Sequence, residues 1–400
     1  MQTTRTTRHR WGTGVVMLAL LGVLAGCGGT SVSSVTPAVT APAATTSAPA
    51  TNAPTVTSTT APAPATPMAT AAPSAASAMP TASTGTGMRT VTDMAGRQVT
   101  LPAQINKIAT IGAVPVINSL VFAFGDGDKI VNGLPDFARK PQWKYQTIFD
   151  PKIANEPQLQ DANNAPNIEE VLKAAPDVVL TLDRPTVDTL AQRGIPAIYL
   201  AWQTDNLKQA MTILGQVLNK PAQAEAYTKY FDTTLARVNN VIGTVPMESR
   251  PKVLYVNLKT LSQPQLIGEW WIRQAGGISV TDNGRMTESI TFSAEQVLAW
   301  NPDIVIVSDP ADVEGIKADP RFKTLKAVMS GKVYLAPIGA HLWANRTIEQ
   351  PLGVLWAAKL FYPERFTDVD LTGETKSFYH TFFGFDLSDA QVAEILSGTF

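Results

Sequence analysis

One stretch of this chain is written twice. Asn167-Ile-Glu-Glu-Val-Leu-Lys-Ala-Ala-Pro-Asp-Val-Val-Leu180 returns as Ser293-Ala-Glu-Gln-Val-Leu-Ala-Trp-Asn-Pro-Asp-Ile-Val-Ile306, so that position 167 maps to 293 and each later position keeps the same offset of 126. In both copies a polar cap opens an apolar-periodic run, Pro-Asp breaks it, and a short Val/Ile/Leu run follows, the pattern of a helix leading into a buried strand. Farther on, Ile198-Tyr-Leu200 is answered by Val333-Tyr-Leu335. A repeated unit at this distance predicts two like lobes, and clefts between lobes are preferred places for small ligands.

The flanking sequence alternates short apolar strands with helical patterns, which predicts an α/β fold: two Rossmann-like lobes with mainly parallel sheets, joined by one long interlobe helix. The first lobe, 89–205, opens with a hairpin arm at 97–101 and a strand at 107–111 running into Gly112–Pro115. A helix at 116–124, a strand at 129–132 and a long irregular stretch at 134–166 follow, the last carrying Trp143, Tyr145 and Phe149. Beyond the first copy come a strand ending at Leu182, a helix at 187–193 and a strand at 197–200. The connecting segment, 206–245, reads as helices at 206–219 and 221–241. The second has Pro221 at its opening position, puts Tyr227, Phe231, Leu235 and Val238 on one face, and is roughly 30 Å long. The second lobe, 246–400, begins with a strand at 252–256. It has a helix around 269–274 stopped by Gly276-Gly277, a strand at 332–335, and capping-box spacing at Thr347–Gln350 and Ser388–Gln391.

Ahead of the lobes, residues 1–26 read as an export signal, with Arg5, Arg8 and Arg10 before an apolar run at 15–24 that is too short to span a bilayer comfortably. Leu24-Ala25-Gly26-Cys27 resembles a bacterial lipobox, in which the Cys27 thiol receives a lipid; the alternative is an ordinary signal with an incidental cysteine. Cys27 is the single cysteine, so no intramolecular disulfide forms. Residues 27–88 are an Ala/Thr/Pro/Ser-rich segment with no charged side chain between Gly28 and Gly87. Such a composition builds no core and acts as a disordered tether, or as a glycosylated stalk, with a coil reach on the order of 45 Å. Loss of the signal takes three Arg and no acid from a net charge of −1 and leaves −4, which argues against a nucleic-acid partner.

In this order, Gly96-Arg97-Gln98-Val99, the two Pro-Asp repeats, Ala275-Gly-Gly277, Gly331-Lys-Val-Tyr334 and the 351–362 helix ending at Tyr362-Pro363 resemble substrate-binding proteins of ABC importers for ferric siderophores, haem and cobalamin. In this type the lobes are joined by a single long helix, and the resemblance covers about residues 89–398. It implies an extracytoplasmic monomer, anchored to the membrane through lipidated Cys27, that delivers a small-molecule metal chelate to an ABC permease and its ATPase. It also implies one docking acid near the start of a helix on each lobe, which by position are Glu169 and Glu295. An acid at that place also favours the helix dipole without any partner.

In a parallel α/β lobe the ligand contacts come from loops at the carboxyl ends of strands. This rule selects Arg184, Trp202 and Asn257, and above all the loop Pro337-Ile-Gly-Ala-His-Leu-Trp-Ala-Asn-Arg346. Trp202 and Trp343 are expected to face each other as flat apolar walls, with Arg184 and Arg346 as forks for anionic oxygens; the alternatives are packing for the tryptophans and a pair with Glu349 for Arg346. Of the adjacent Trp270 and Trp271, Trp270 is expected to reach the cleft. His341 is either an axial ligand to haem iron or a hydrogen-bonding and packing residue. The expected cargo is a ferric siderophore, then a corrinoid, then haem. No resident cofactor and no free-metal site are expected, because clustered ligands are absent. The chain shows no Gly-x-Ser-x-Gly, phosphate loop or HExxH, which argues for a binder and against an enzyme. A scavenging surface lipoprotein and a two-lobed chelatase-like enzyme are the rival classes.

Overall fold

A computed structural model of the chain describes residues 87–203 and 206–400. The expected signal, Cys27 and nearly all of the tether lie outside the described residues. The two copies of the duplicated strand lie in two different sheets. One sheet has the parallel order Ile108–Ile111, Val178–Thr181, Ala197–Tyr199, and the other the parallel order Val333–Leu335, Ile304–Val307, Lys252–Val256, Ile278–Ser279. In each sheet the duplicated strand sits between the sheet's first strand in sequence and the strand that follows the duplicated one. All four residues of either copy are buried, as a sheet covered on both faces requires.

The repeated residues explain themselves locally. The helices Ile168–Ala174 and Ala294–Trp300 are capped by Asn167 and Ser293, whose side chains accept from the Glu170 and Gln296 amides. Each ends on a residue in the left-handed region, Ala175 at φ 48° and Asn301 at φ 43°, because the proline that follows disfavours a helical conformation there. The Asp after that proline then fastens the sheet. Asp177 accepts the Asn106 and Lys107 amides at 2.7 and 2.9 Å, and Asp303 accepts the Lys252 amide at 2.9 Å. Each acid thus pins the start of its lobe's first strand. The duplication runs one step further along the chain. Asp183 and Asp309, again 126 apart, both cap the next helix, through the Thr186 amide at 2.8 Å and the Ala311 amide at 3.0 Å.

The interlobe helix is Pro221–Ile242, 22 residues and about 33 Å at 1.5 Å per residue. Tyr227, Phe231 and Val238 are buried along it, and it packs on the helices Leu207–Val217 and Gln350–Phe361. Just before it, Lys220 reaches the first lobe at the Phe124 carbonyl (2.6 Å) and Asp126 (2.9 Å). Its last residue, Ile242, lies against Gly276 of the second lobe, where φ is +86° and an added Cβ would sit 3.1 Å from Ile242.

Several expectations need correction. The strand at 129–132 reduces to one bridge between Ile130 and Ile108, and the irregular stretch contains a helix at Lys144–Phe149. The helix expected at 187–193 is Arg184–Ala191, started early by the Asp183 cap and Pro185 in its first turn. Ser388 and Gln391 form their capping box, but Thr347 and Gln350 do not, because the Thr347 hydroxyl bonds the Glu349 carboxylate instead.

Residues 246–400 also do not stay within one lobe. The C-terminal elements Tyr379–Phe383 and Asp389–Ser397 return to the first lobe's Lys144–Phe149 helix. Phe149 stacks on Tyr379 at 5.1 Å and meets Phe383 at 4.9 Å, the Tyr145 hydroxyl donates to the Gln391 carbonyl at 3.0 Å, and Lys144 pairs with Glu394 at 2.7 Å. Apolar periodicity reports which face of a helix is covered, and is silent on which lobe covers it. Among the described residues no helix is long and apolar enough to cross a membrane.

Candidate functional site

The 337–346 loop, at the carboxyl end of Val333–Leu335, meets the first lobe and is heavily anchored. Its organiser is Glu349, fully buried. The Glu349 carboxylate accepts the Ala340 amide at 2.6 Å, the His341 amide at 3.3 Å, the Tyr379 hydroxyl at 2.7 Å and the Thr347 hydroxyl. Burial pushes this carboxyl above the usual range, and those bonds pull against the shift. Three further anchors come from the interior: Trp271 Nε1 donates to the Ala344 carbonyl at 3.0 Å, the Tyr255 hydroxyl to Asn345 Oδ1 at 2.8 Å, and Tyr227 of the interlobe helix to the Ile348 carbonyl at 2.7 Å. A loop held by this many bonds is preorganised, which spares a ligand the cost of ordering it.

Three contacts cross from the first lobe to this loop. Gln146 donates to the Pro115 carbonyl at 3.0 Å in its own lobe and to the Ala340 carbonyl in the other. Trp143 lies 4.9 Å from the His341 ring, centroid to centroid. Arg346 Nη1 donates to the Trp202 carbonyl at 3.0 Å. Gln146 and Trp143 were not selected from sequence, although the length of the 134–166 stretch marked the region.

The residues selected from sequence fall into distinct places. Arg346 is at the junction but does not pair with Glu349, whose oxygens are already occupied by the loop. Among the described residues the acid nearest it is Glu288 at 3.6 Å, and the Arg346 Nε is buried without an acceptor. Trp202 is buried, and its indole Nε1 also lacks an acceptor among the described residues. Trp343 is buried too, but it forms no ring pair with Trp202 among the described residues; it is seated on Gly353 of the second lobe, where an added Cβ would come within 3.3 Å of its carbonyl. Trp270 lies 6.1 Å from Phe231 on the interlobe helix, and its neighbour Trp271 makes the contact with the loop, the reverse of the expected assignment.

His341 is buried beside Trp143, and its Nδ1 has no partner among the described residues. Desolvation, with the nearby Arg346 charge adding to it, holds the imidazole down to about 3, so it is neutral. Asn257 turns a short hairpin, exchanging backbone bonds with Ser262 at 2.8 and 3.2 Å. Arg184, the first residue of its helix, is exposed and forms no ion pair with a described residue. Glu169 and Glu295 are exposed at the second position of the two capped helices. Among the described residues, no three His, Cys, Asp or Glu side chains are grouped so as to hold a metal ion.

A family model described as periplasmic binding protein matches residues 119–338. The chain is similar to the molybdate-binding protein MolA of Haemophilus influenzae, 27% identical over 324 residues that cover 74% of this chain and 91% of that protein. It is also similar to the iron-uptake system-binding protein of Bacillus subtilis, 22% identical over 60% of this chain and 76% of that one. Among solved structures it resembles a periplasmic solute binding protein from Veillonella parvula, with a TM-score of 0.69 and 30% identity, covering 78% of this chain and 97% of the other.

Proposed function

This chain belongs to the periplasmic binding protein family, and from that premise we propose that its two lobes capture a small tetrahedral oxyanion of the molybdate class and hand it to an ABC permease. The coarse role, an extracytoplasmic solute-binding protein of an ABC transporter, follows from the family. The choice of cargo rests on one observation: Arg346 and Trp202, joined across the lobes, each keep a buried N–H with no acceptor among the described residues. A buried donor left unmet costs about 1–3 kcal/mol. An oxyanion supplies acceptors to both at once, and a guanidinium is the side chain best shaped for it. The similarity to a molybdate-binding protein over most of its length supports the same class.

The ferric siderophore, corrinoid or haem expected from sequence drew on Trp202 and Trp343, both buried, and on His341, whose ring is packed against Trp143. In this reading the protein is a binder and not an enzyme, Glu169 and Glu295 dock on the permease, and lipidated Cys27 anchors the tether to the membrane. The test is a calorimetric titration of the purified protein with molybdate, tungstate, sulfate, a ferric siderophore, cobalamin and haem. Binding of molybdate or tungstate supports the assignment; saturable binding of a chelate with none of either oxyanion overturns it.

A further inference from the structure

The duplicated segment repeats six residue identities, and four of them have work inside the fold. Val171 and Val179, with their counterparts, are core, and Pro-Asp ends the helix and pins the first strand. The other two make no contact beyond their own helix among the described residues: Glu169 and Leu172 in one lobe, and in the other Leu298 and Glu295, whose carboxylate reaches only the helix start at Ser293. Both leucines are exposed, Leu172 by 55% and Leu298 by 38%. A single exposed leucine is unremarkable, and an acid in a first turn is explained by the helix dipole. Neither principle explains why the same exposed leucine stands one turn after the same exposed acid in both lobes.

Resting on the docking reading above, we propose that Glu169 with Leu172, and Glu295 with Leu298, form two equivalent prongs that seat in two equivalent sockets of the membrane permease, each socket basic with an apolar floor. Residues three apart on a helix are surface neighbours, so acid and leucine make one patch. The acids call for cations. The duplication calls for a partner that presents the same surface twice, as a two-fold assembly does. Each helix runs opposite to the strand it feeds, which puts both prongs at the ligand end of their lobes, where lobe closure sets their separation. The acids give steering that salt weakens; the leucines give contact that salt leaves intact and that slows dissociation.

The experiment measures binding of the full chain to its importer complex in nanodiscs, at low salt and at about 0.5 M salt, with Leu172→Ser, Leu298→Ser, the double variant, and Glu169→Lys/Glu295→Lys in parallel. Each leucine change is expected to weaken docking about tenfold, through faster dissociation at both salt concentrations. The charge reversals should slow association and flatten the salt dependence, while cargo affinity and melting temperature stay at wild-type values for all. If the double leucine variant docks like wild type while the charge reversals fail, the leucine prongs are wrong and the docking acids stand; if neither set weakens docking, both readings fall. Leucine-dependent dimers of this chain in sedimentation would also overturn the proposal.

Discussion

The two left-handed residues that end the duplicated helices give a paired test, because glycine at the two equivalent positions should act with opposite sign. Ala175 is exposed, has φ 48°, and its side chain holds nothing. A left-handed alanine costs roughly 1–2 kcal/mol. Glycine removes that cost but gives back about 0.4–1 kcal/mol through its freer unfolded chain, so Ala175→Gly should stabilise by about 0.5–1 kcal/mol. Asn301, at φ 43°, differs in two respects. Asparagine tolerates this region, so glycine relieves little, and Asn301 Oδ1 accepts the Lys326 amide at 3.0 Å, a bond that glycine deletes. That loss, about 0.5–1.5 kcal/mol, adds to the unfolded-state term, and Asn301→Gly should destabilise by about 1–2 kcal/mol. Urea unfolding with unchanged m-values measures both, and the melting temperatures should move on the order of 1–4 °C in opposite directions. Shifts of the same sign and size would refute the reasoning that the strain sits on Ala175 and the useful side chain on Asn301.

Arg346→Met should weaken molybdate binding at least about tenfold by calorimetry, since a hydrogen bond to a charged group is worth about 1.5–3 kcal/mol, and Arg346→Lys should not restore it, because an ammonium does not reproduce the fork; full affinity in Arg346→Met removes Arg346 from the site. Trp271→Phe keeps the ring but deletes the bond to the Ala344 carbonyl, so it should cost about 1 kcal/mol of stability and loosen the 337–346 loop, read as faster amide exchange at residues 340–346; unchanged exchange there would show that the loop is held without it. His341 is held down to about 3 in the folded chain and titrates near 6.5 when unfolded. Between those values the unfolded chain takes up a proton that the folded chain does not, so this contribution is present above pH 6.5 and lost as pH falls, at up to about 1.4 kcal/mol per unit. His341→Gln should therefore lose stability less steeply than wild type between about pH 6.5 and 4 in urea titrations, and parallel slopes would show that the imidazole is not buried as a neutral ring.

The fold was legible because its signals are local. Val178–Thr181 and Ile304–Val307 are short apolar runs closed off by Pro-Asp, and the polar residues 167, 293 and 388 cap their helices. The same locality explains the misses. Whether Thr347 bonds an amide or the Glu349 carboxylate depends on Glu349 being buried under Tyr379, thirty positions away in sequence. Trp270 and Trp271 are indistinguishable by spacing, and only the third dimension sends one to Phe231 and the other to Ala344. The contacts that assemble the candidate site, Gln146 with Ala340 and Arg346 with Trp202, join residues more than 140 positions apart.

The C-terminal return, where Phe149, Tyr379 and Phe383 pack in one mutual cluster, fastens the halves at a second place besides Pro221–Ile242. Two fastenings define a line, and rotation about that line is the soft motion left to the pair; twisting about the long axis of Pro221–Ile242 would tear the aromatic seam. Neither half is then an excisable part: a chain cut before residue 371 loses the cover of the first half's Phe149 and Tyr145 as well as its own last helices.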